Sequence, residues 1–202
     1  MAQNIKQAIK LEYLKCVDDP VYFMRKYCTI QHPQRGKMKF DLYPFQEDCL
    51  KEFHENRYNI ILKSRQLGIS TLSAGYSLWM ILFHADKNVL VIATGKDTAK
   101  NLVTKVRVMF DGLPQWLRTG TEEINKLSLR LANGSQIKAI ASTESAGRSE
   151  ALSLLILDER ILLYKDLAKA VEPKWYENKW LYFFGGVIVT TQSIKLAGEL
   201  AD

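Results

Sequence analysis

Apolar positions along this chain follow two kinds of pattern, which together predict helices that alternate with buried strands. Short runs of apolar and β-branched residues predict strands over residues 59–62, 88–93, 153–159 and 185–193. Apolar side chains at helical spacing predict two helices in the first 30 residues and further helices over residues 70–83 and 97–110. This alternation predicts an α/β fold with a mostly parallel central sheet flanked by helices.

The other segments add a hairpin and an N-terminal extension to this plan. Two alternating segments on either side of an Asn133-Gly134 turn predict a β-hairpin. Residues 1–40 predict a helical segment that packs on the main domain and ends in a basic connector over residues 32–39. We expect residues 41–202 to form the main domain.

Composition is that of a soluble globular protein. Of the 202 residues, 47% are hydrophobic and 25% are charged, and no apolar run is long enough to span a membrane. The N-terminus lacks the apolar centre and cleavage site of a secretory signal, which predicts an intracellular protein. Three cysteines without C-x-x-C spacing predict neither a disulfide framework nor a zinc site. The net charge of +6 permits a polyanionic partner without specifying one.

The residues that follow the first of these strands, KSRQLGIST, are a candidate phosphate loop. In the pattern G-x-x-x-x-G-K-[ST], backbone N–H groups and a helix N-terminus bind phosphate, and the Ser or Thr hydroxyl binds magnesium. Gly68 and Ser70 fit this pattern, whereas Ile69 occupies the position of the lysine. Lys63 occupies the position of the first glycine, so a basic side chain remains at the mouth of the loop.

Two pairs of residues on either side of the loop support nucleotide binding. Asp158 and Glu159 end an apolar strand, and in phosphate-loop ATPases such a pair binds magnesium and activates water. Acidic pairs also follow apolar strands by chance, but the preceding loop favours the ATPase interpretation. Phe45 and Gln46 precede the loop and predict an adenine contact, with a helix cap and a core aromatic as the alternative.

Three further residues are weaker candidates. Arg148 lies in a polar loop, where it is either a solvated arginine or a sensor of the nucleotide phosphates. Thr190 and Thr191 end the last predicted strand, and the carboxyl ends of strands in an α/β sheet converge on the ligand crevice. These threonines therefore either respond to the nucleotide or simply cap the strand.

Taken in order, these segments resemble the N-terminal ATPase domain of the large terminase subunit of tailed bacteriophages. The likeness runs from about Asp19 to Glu159, through the segments DPVYFMRKY, HPQRGKMKFDLYPFQ, KSRQLGIST, LPQWLR, LANGSQIKAIAS, AGRS and LLILDE. It implies a P-loop ATPase that uses ATP and Mg²⁺ to translocate double-stranded DNA into a procapsid. It also implies a homo-oligomeric ring on the portal protein, a small terminase subunit as partner, and action in the host cytoplasm without membrane association or a place in the mature virion.

The resemblance assigns roles to individual residues. It implies catalytic roles for Arg65 and Glu159, and magnesium binding by Ser70 and Asp158. It makes Thr190 and Thr191 a coupling motif between hydrolysis and movement, and Arg148 a possible phosphate sensor. The nucleotide-binding residues that it implies are Phe45, Gln46, Lys63, Ser64, Arg65, Gln66, Leu67, Gly68, Ile69, Ser70 and Thr71.

The region after Glu159 departs from the family pattern, with Arg160 followed by two aliphatic residues. The family also carries a C-terminal nuclease domain, and we expect no nuclease domain and no endonuclease activity in residues 1–202, with the ATPase domain incomplete at its end. Two alternatives stay open: a helicase-like ATPase that remodels nucleic acid, and a truncated fragment that binds nucleotide without hydrolysing it. Stimulation by single strands would favour the first, and tight ATP binding without phosphate release the second.

Overall fold

A computed structural model describes residues 2–32, 34–64, 66–93, 95–141, 151–158 and 187–191 of the chain. In these ranges the helices and strands follow one another in this order: α1 (Ala2–Asp18), α2 (Pro20–Tyr27), β1 (Thr29–His32), β2 (Gly36–Lys39), α3 (Pro44–Glu55), β3 (Tyr58–Leu62), α4 (Ile69–Phe83), β4 (Asn88–Ala93), α5 (Lys96–Gly112), β5 (Thr121–Ile124), β6 (Ser128–Leu131), β7 (Gln136–Ala141), β8 (Leu154–Asp158) and β9 (Val187–Thr191).

The strands form a two-stranded hairpin and a seven-stranded sheet. In the hairpin, β1 and β2 are antiparallel. The larger sheet has the order β3-β9-β8-β4-β7-β6-β5. Its pairs from β3 to β7 are parallel, whereas β6 pairs antiparallel with both β7 and β5. The predicted α/β class is confirmed, and the sheet is mixed.

Strand β4 shows why a continuous apolar run is needed at the centre of this sheet. Val89 and Val91 face the large core cluster, which also contains the apolar side chains of α4 and α5. Leu90 and Ile92 face the opposite side and join a second cluster with Leu157. Because both faces of β4 are covered, alternate polar residues have no place there.

The two N-terminal helices pack against α4. Asp19 caps α2, because its carboxylate accepts hydrogen bonds from the backbone amides of Val21 and Tyr22 at 2.7 and 3.1 Å. The indole Nε1 of Trp79 on α4 donates a 2.8 Å hydrogen bond to the carbonyl of Cys16. This contact fixes the C-terminal end of α1 on the body of the protein. The helices predicted within residues 1–30 correspond to α1 and α2.

Two strand segments differ from the sequence-based expectation. Residues 32–39 were expected to be a connector, but β1 and β2 pair there, with Ile30 opposite Met38. Strand β5 was not predicted because all four of its residues are exposed and show no apolar alternation. Both segments are short strands whose pairing depends on a neighbouring strand more than on their own sequence.

Candidate functional site

The candidate site begins where β3 ends and α4 begins, in the order strand, loop, helix. Two residues of this loop have a left-handed backbone, Gln66 with φ 64° and Gly68 with φ 74°. Left-handed residues in a turn direct neighbouring N–H groups toward one concave side, where an anion can bind. No described side chain caps the first turn of α4, so the positive end of this helix dipole is open to the loop.

Ile69 explains why the loop lacks the usual lysine. Its side chain is only 2% exposed and belongs to the main hydrophobic core. A lysine at this position would bury an ammonium group among apolar side chains, at a high cost in solvation energy. One basic residue of the loop, Lys63, directly follows β3 and is 8% exposed. A largely buried ammonium interacts strongly with an anion, because water screens it poorly.

The hydroxyl of Ser70 and the carboxylate of Asp158 meet at the first turn of α4. Ser70 Oγ donates a 3.0 Å hydrogen bond to Asp158 Oδ1, although 88 residues separate them in sequence. Asp158 is the last residue of β8 and is 5% exposed. Hydroxyl and carboxylate oxygens are the hard ligands that Mg²⁺ prefers, usually with phosphate oxygens and water completing the shell. The donor set therefore fits magnesium bound to a nucleotide phosphate.

Gln46 braces the loop from the side of α3. Its Oε1 accepts a 3.1 Å hydrogen bond from the backbone amide of Tyr43, and its Nε2 donates a 2.9 Å bond to the carbonyl of Leu67. A Cβ atom at Gly68 would lie 2.7 Å from Gln46 Nε2, so a larger residue there would displace the amide that bonds to Leu67. The helix-cap alternative for Gln46 is thus observed. Its contact with adenine stays a prediction.

An exposed pair of aromatic rings lies next to Gln46. Phe45 is 40% exposed and Tyr43 is 64% exposed, so neither ring belongs to the core. The two rings are nearly parallel, with centroids 5.8 Å apart. The sequence analysis named Phe45 as a nucleobase contact and missed Tyr43. A second aromatic residue two positions before Phe45 could have indicated it. Exposed aromatic faces of this kind can stack on a nucleobase.

The carboxyl ends of three parallel strands lie next to one another at the site. Thr191 of β9 is opposite Leu62, the last residue of β3 before the loop, and Thr190 is opposite Ile61. Strand β8, which ends at Asp158, pairs with the other edge of β9. The backbone of the threonine pair therefore lies between the loop strand and the acidic strand. A coupling role for these threonines stays a prediction.

Four of the remaining predicted residues belong to the described part of the loop and the first turn of α4. Ser64, Gln66 and Leu67 are exposed, and Thr71 is half-buried in the first turn of α4. Arg65, Arg148 and Glu159 lie outside the described residues. Within the ranges that the structure describes, no three His, Cys, Asp or Glu side chains cluster as metal ligands. Among the same residues, no helix combines the length and apolarity required to cross a bilayer.

Comparison with known proteins finds similar folds among solved structures. No protein-family model matches the chain. The fold is similar to that of the HK97 bacteriophage large terminase, with a TM-score of 0.62 and 17% identity over 87% of this chain and 37% of that chain. The ATPase domain of the Thermus phage P74-26 large terminase also matches, with a TM-score of 0.47 and 16% identity over 75% of this chain and 65% of that chain. The predicted resemblance is confirmed at the level of fold, and the chain spans 37% of the HK97 protein.

Proposed function

We propose that this chain is the ATPase part of a large terminase subunit, with a P-loop fold, and that it hydrolyses ATP to move double-stranded DNA into a viral procapsid. The observation that carries the proposal is the contact between Ser70 Oγ and Asp158 Oδ1. It joins the first turn of the helix after the loop to the end of an apolar strand, as magnesium binding requires in P-loop ATPases.

Each residue of the loop has a distinct task in this proposal. The backbone amides around Gly68 and the first turn of α4 bind the phosphates, and Lys63 offsets their charge. Ser70 and Asp158 supply the protein oxygens for Mg²⁺. When bound, Mg-ATP supplies the phosphoryl group that is transferred to water.

Residues beyond the loop complete the reaction and its specificity. Glu159 follows Asp158 in sequence, and we assign it the role of orienting the attacking water and accepting its proton. Arg65 stabilises the charge that develops on the transferred phosphoryl group. Phe45 stacks on adenine with its exposed ring, while Gln46 holds the loop in register through Leu67.

The assembly belongs to the same proposal. The chain acts in a homo-oligomeric ring on the portal protein, with a small terminase subunit and double-stranded DNA as partners, in the host cytoplasm. Thr190 and Thr191 couple hydrolysis to movement, because their backbone lies between the loop strand and the acidic strand. Arg148 senses the nucleotide phosphates.

Comparison of Glu159→Gln with wild type tests the hydrolysis step. The substitution removes the proton acceptor and keeps the size of the side chain, so phosphate release should fall about 100-fold or more. Binding of ATP should stay within about twofold of wild type, because the phosphates are held by the loop. Glu55→Gln, at the exposed end of α3, is the matched control and should change neither quantity. Equal loss of binding and turnover in Glu159→Gln would contradict the assignment.

A further inference from the structure

The β1–β2 hairpin carries three exposed basic residues without ion pairs to described carboxylates. No acidic residue occurs between Asp19 and Asp41, a stretch with five basic residues. Two of these five belong to α2 and form ion pairs. The other three are exposed on the hairpin, and no carboxylate of the described residues pairs with them: Arg35, Lys37 and Lys39.

The strand register places the two lysines on one face of the hairpin. Ile30 and Met38 are paired and half-buried, so they share the face that packs inward. Lys37 and Lys39 lie on either side of Met38 and therefore share the opposite face. Alternate residues of a strand are about 7 Å apart. Phosphates on one strand of B-DNA recur about every 3.4 Å of helix axis, so this spacing matches about two phosphate steps.

The tip of the hairpin is ordered by its own residues. His32 Nδ1 accepts hydrogen bonds from the backbone amides of Gln34 and Arg35, at 3.2 and 3.3 Å. Gly36 follows with φ +68°, and a Cβ atom placed on it would meet nothing within 4 Å. The backbone of Arg35 is therefore held by His32, and its side chain is exposed to a partner.

The base of the hairpin is fixed on the body of the protein near the phosphate loop. The buried residues Cys28 and Phe40 close it through a 3.0 Å bond from the Phe40 amide to the Cys28 carbonyl. On one side, Gln31 of β1 and Thr71 of α4 line a common cleft of about 110 Å³. The hairpin therefore lies next to α4, the helix that begins at the loop.

From these observations we propose that the hairpin contacts the phosphate backbone of double-stranded DNA through Arg35, Lys37 and Lys39. The inference rests on the proposed function, since it assigns a surface of this chain to the DNA that the motor moves. The contact is independent of base sequence, because cations on phosphates position a protein without reading bases. An acidic protein surface is the competing partner, and regular strand spacing favours the regular charges of a duplex.

The test measures how duplex binding depends on salt. The variant replaces Arg35, Lys37 and Lys39 together by Gln, and the control replaces three exposed α1 lysines by Gln: Lys6, Lys10 and Lys15. Both variants lose the same charge. Fluorescence anisotropy of a short mixed-sequence duplex, titrated at several salt concentrations, gives the slope of log K against log salt. Loss of three phosphate contacts should reduce this slope by roughly 2 to 3, and the control should reduce it by less than about 1.

Three results would overturn the inference. One is an equal slope for the hairpin variant and the control, with both folded by circular dichroism. Another is competition by polyglutamate as strong, per charge, as competition by duplex, which would indicate an acidic protein partner. The third is no duplex binding by wild type. The charge-preserving variant Lys37→Arg should keep the wild-type slope.

ATP hydrolysis by the same samples without DNA separates this inference from the proposed function. Hydrolysis together with hairpin-independent DNA binding refutes the hairpin assignment alone. Hairpin-dependent DNA binding without any hydrolysis refutes the ATPase proposal and leaves the hairpin as a DNA contact.

Discussion

Ser70 Oγ donates a 3.0 Å hydrogen bond to the carboxylate of Asp158, across 88 residues of sequence. The sheet order explains the contact, because one strand, β9, separates β8 from β3, whose loop leads into α4. The end of β8 therefore reaches the first turn of α4. A hydroxyl and a carboxylate held together in this way are the two protein ligands of the proposed magnesium site.

Removal of the Ser70 hydroxyl should weaken the response to magnesium. Loss of a group that orients or supplies a metal ligand typically lowers metal affinity about 10- to 100-fold, so Ser70→Ala should raise the Mg²⁺ needed for half-maximal ATP turnover by a similar factor. Ser77→Ala is the control on the same helix, because Ser77 Oγ bonds only to the carbonyl of Ser73 in the described structure. A steady-state phosphate assay over a magnesium series checks both. Identical magnesium curves for the two variants would refute a metal role for Ser70.

Comparison of two glycines at positive φ, Gly36 and Gly68, measures how much the contact of Gln46 with the loop contributes to stability. Gly36→Ala and Gly68→Ala both place an L-residue in the left-handed region, at about 1–2 kcal/mol each. Only at Gly68 would the new Cβ meet a side chain, 2.7 Å from Gln46 Nε2. Urea unfolding should therefore show a larger loss of stability for Gly68→Ala, by about 1–3 kcal/mol.

The clash can be relieved by a second substitution. Gln46→Ala removes the clash together with the two hydrogen bonds of Gln46, so the double variant should lose less stability than the sum of the losses of the two single variants. Equal losses for Gly36→Ala and Gly68→Ala, or strictly additive losses for the double variant, would show that Gln46 does not press on the loop.

The contribution of the α1–α2 contact to stability should decrease at acid pH. Glu12 Oε1 accepts hydrogen bonds from Lys26, Tyr22 and Tyr27, which lower the pKa of Glu12 from 4.5 to about 2. A lowered pKa in the folded state stabilises the protein above the unfolded value, and this stabilisation is lost as the pH falls from about 4.5 toward 2. The stability difference between wild type and Glu12→Gln should thus be present at neutral pH and shrink across that window.

Urea unfolding at several pH values measures this difference. Glu55→Gln, exposed on α3, is the matched control and should stay close to wild type throughout. A difference for Glu12→Gln that does not change with pH would mean that the carboxylate charge does not hold the two helices together.

The three thiols should react in an order set by their burial. Burial raises the pKa of Cys16 to about 12 and also raises the pKa of Cys28, and both side chains are fully buried. Cys49 is only half-buried, on α3. Because the thiolate is the reactive form, iodoacetamide should modify Cys49 in the native protein and the other two only in urea. Mass spectrometry of the peptides gives the order, and native labelling of Cys28 would contradict this packing.

Much of the sheet could be predicted because its central strands are covered on both faces. The run NVLVIA predicts β4 with the bounds that the structure has. Burial determines the residue type at each position of such a strand, so the sequence is informative. The exposed strand β5 has no such constraint, and nothing in its residues indicates its pairing.

The site was predictable in its residue types but not in its contacts. Gly68, Ser70 and Asp158 follow a motif, and parallel strand ends converge in any α/β sheet. The bond from Gln46 to the carbonyl of Leu67 is a tertiary contact between α3 and the loop, and no local pattern encodes it. The burial of Ile69 likewise depends on how α4 packs. Only the structure of the core therefore explains why isoleucine stands at the position of the motif lysine.

Isothermal titration calorimetry of ATP binding, with magnesium and with EDTA, tests the central proposal most directly. Wild type should bind Mg-ATP at one site per chain and bind ATP at least about tenfold more weakly in EDTA, because Asp158 and Ser70 bind the metal. Asp158→Asn should remove this difference, whereas the control Asp48→Asn, at an exposed position of α3, should keep it. Absence of ATP binding by wild type, or magnesium-dependent binding that Asp158→Asn leaves intact, would contradict the proposed ATPase site.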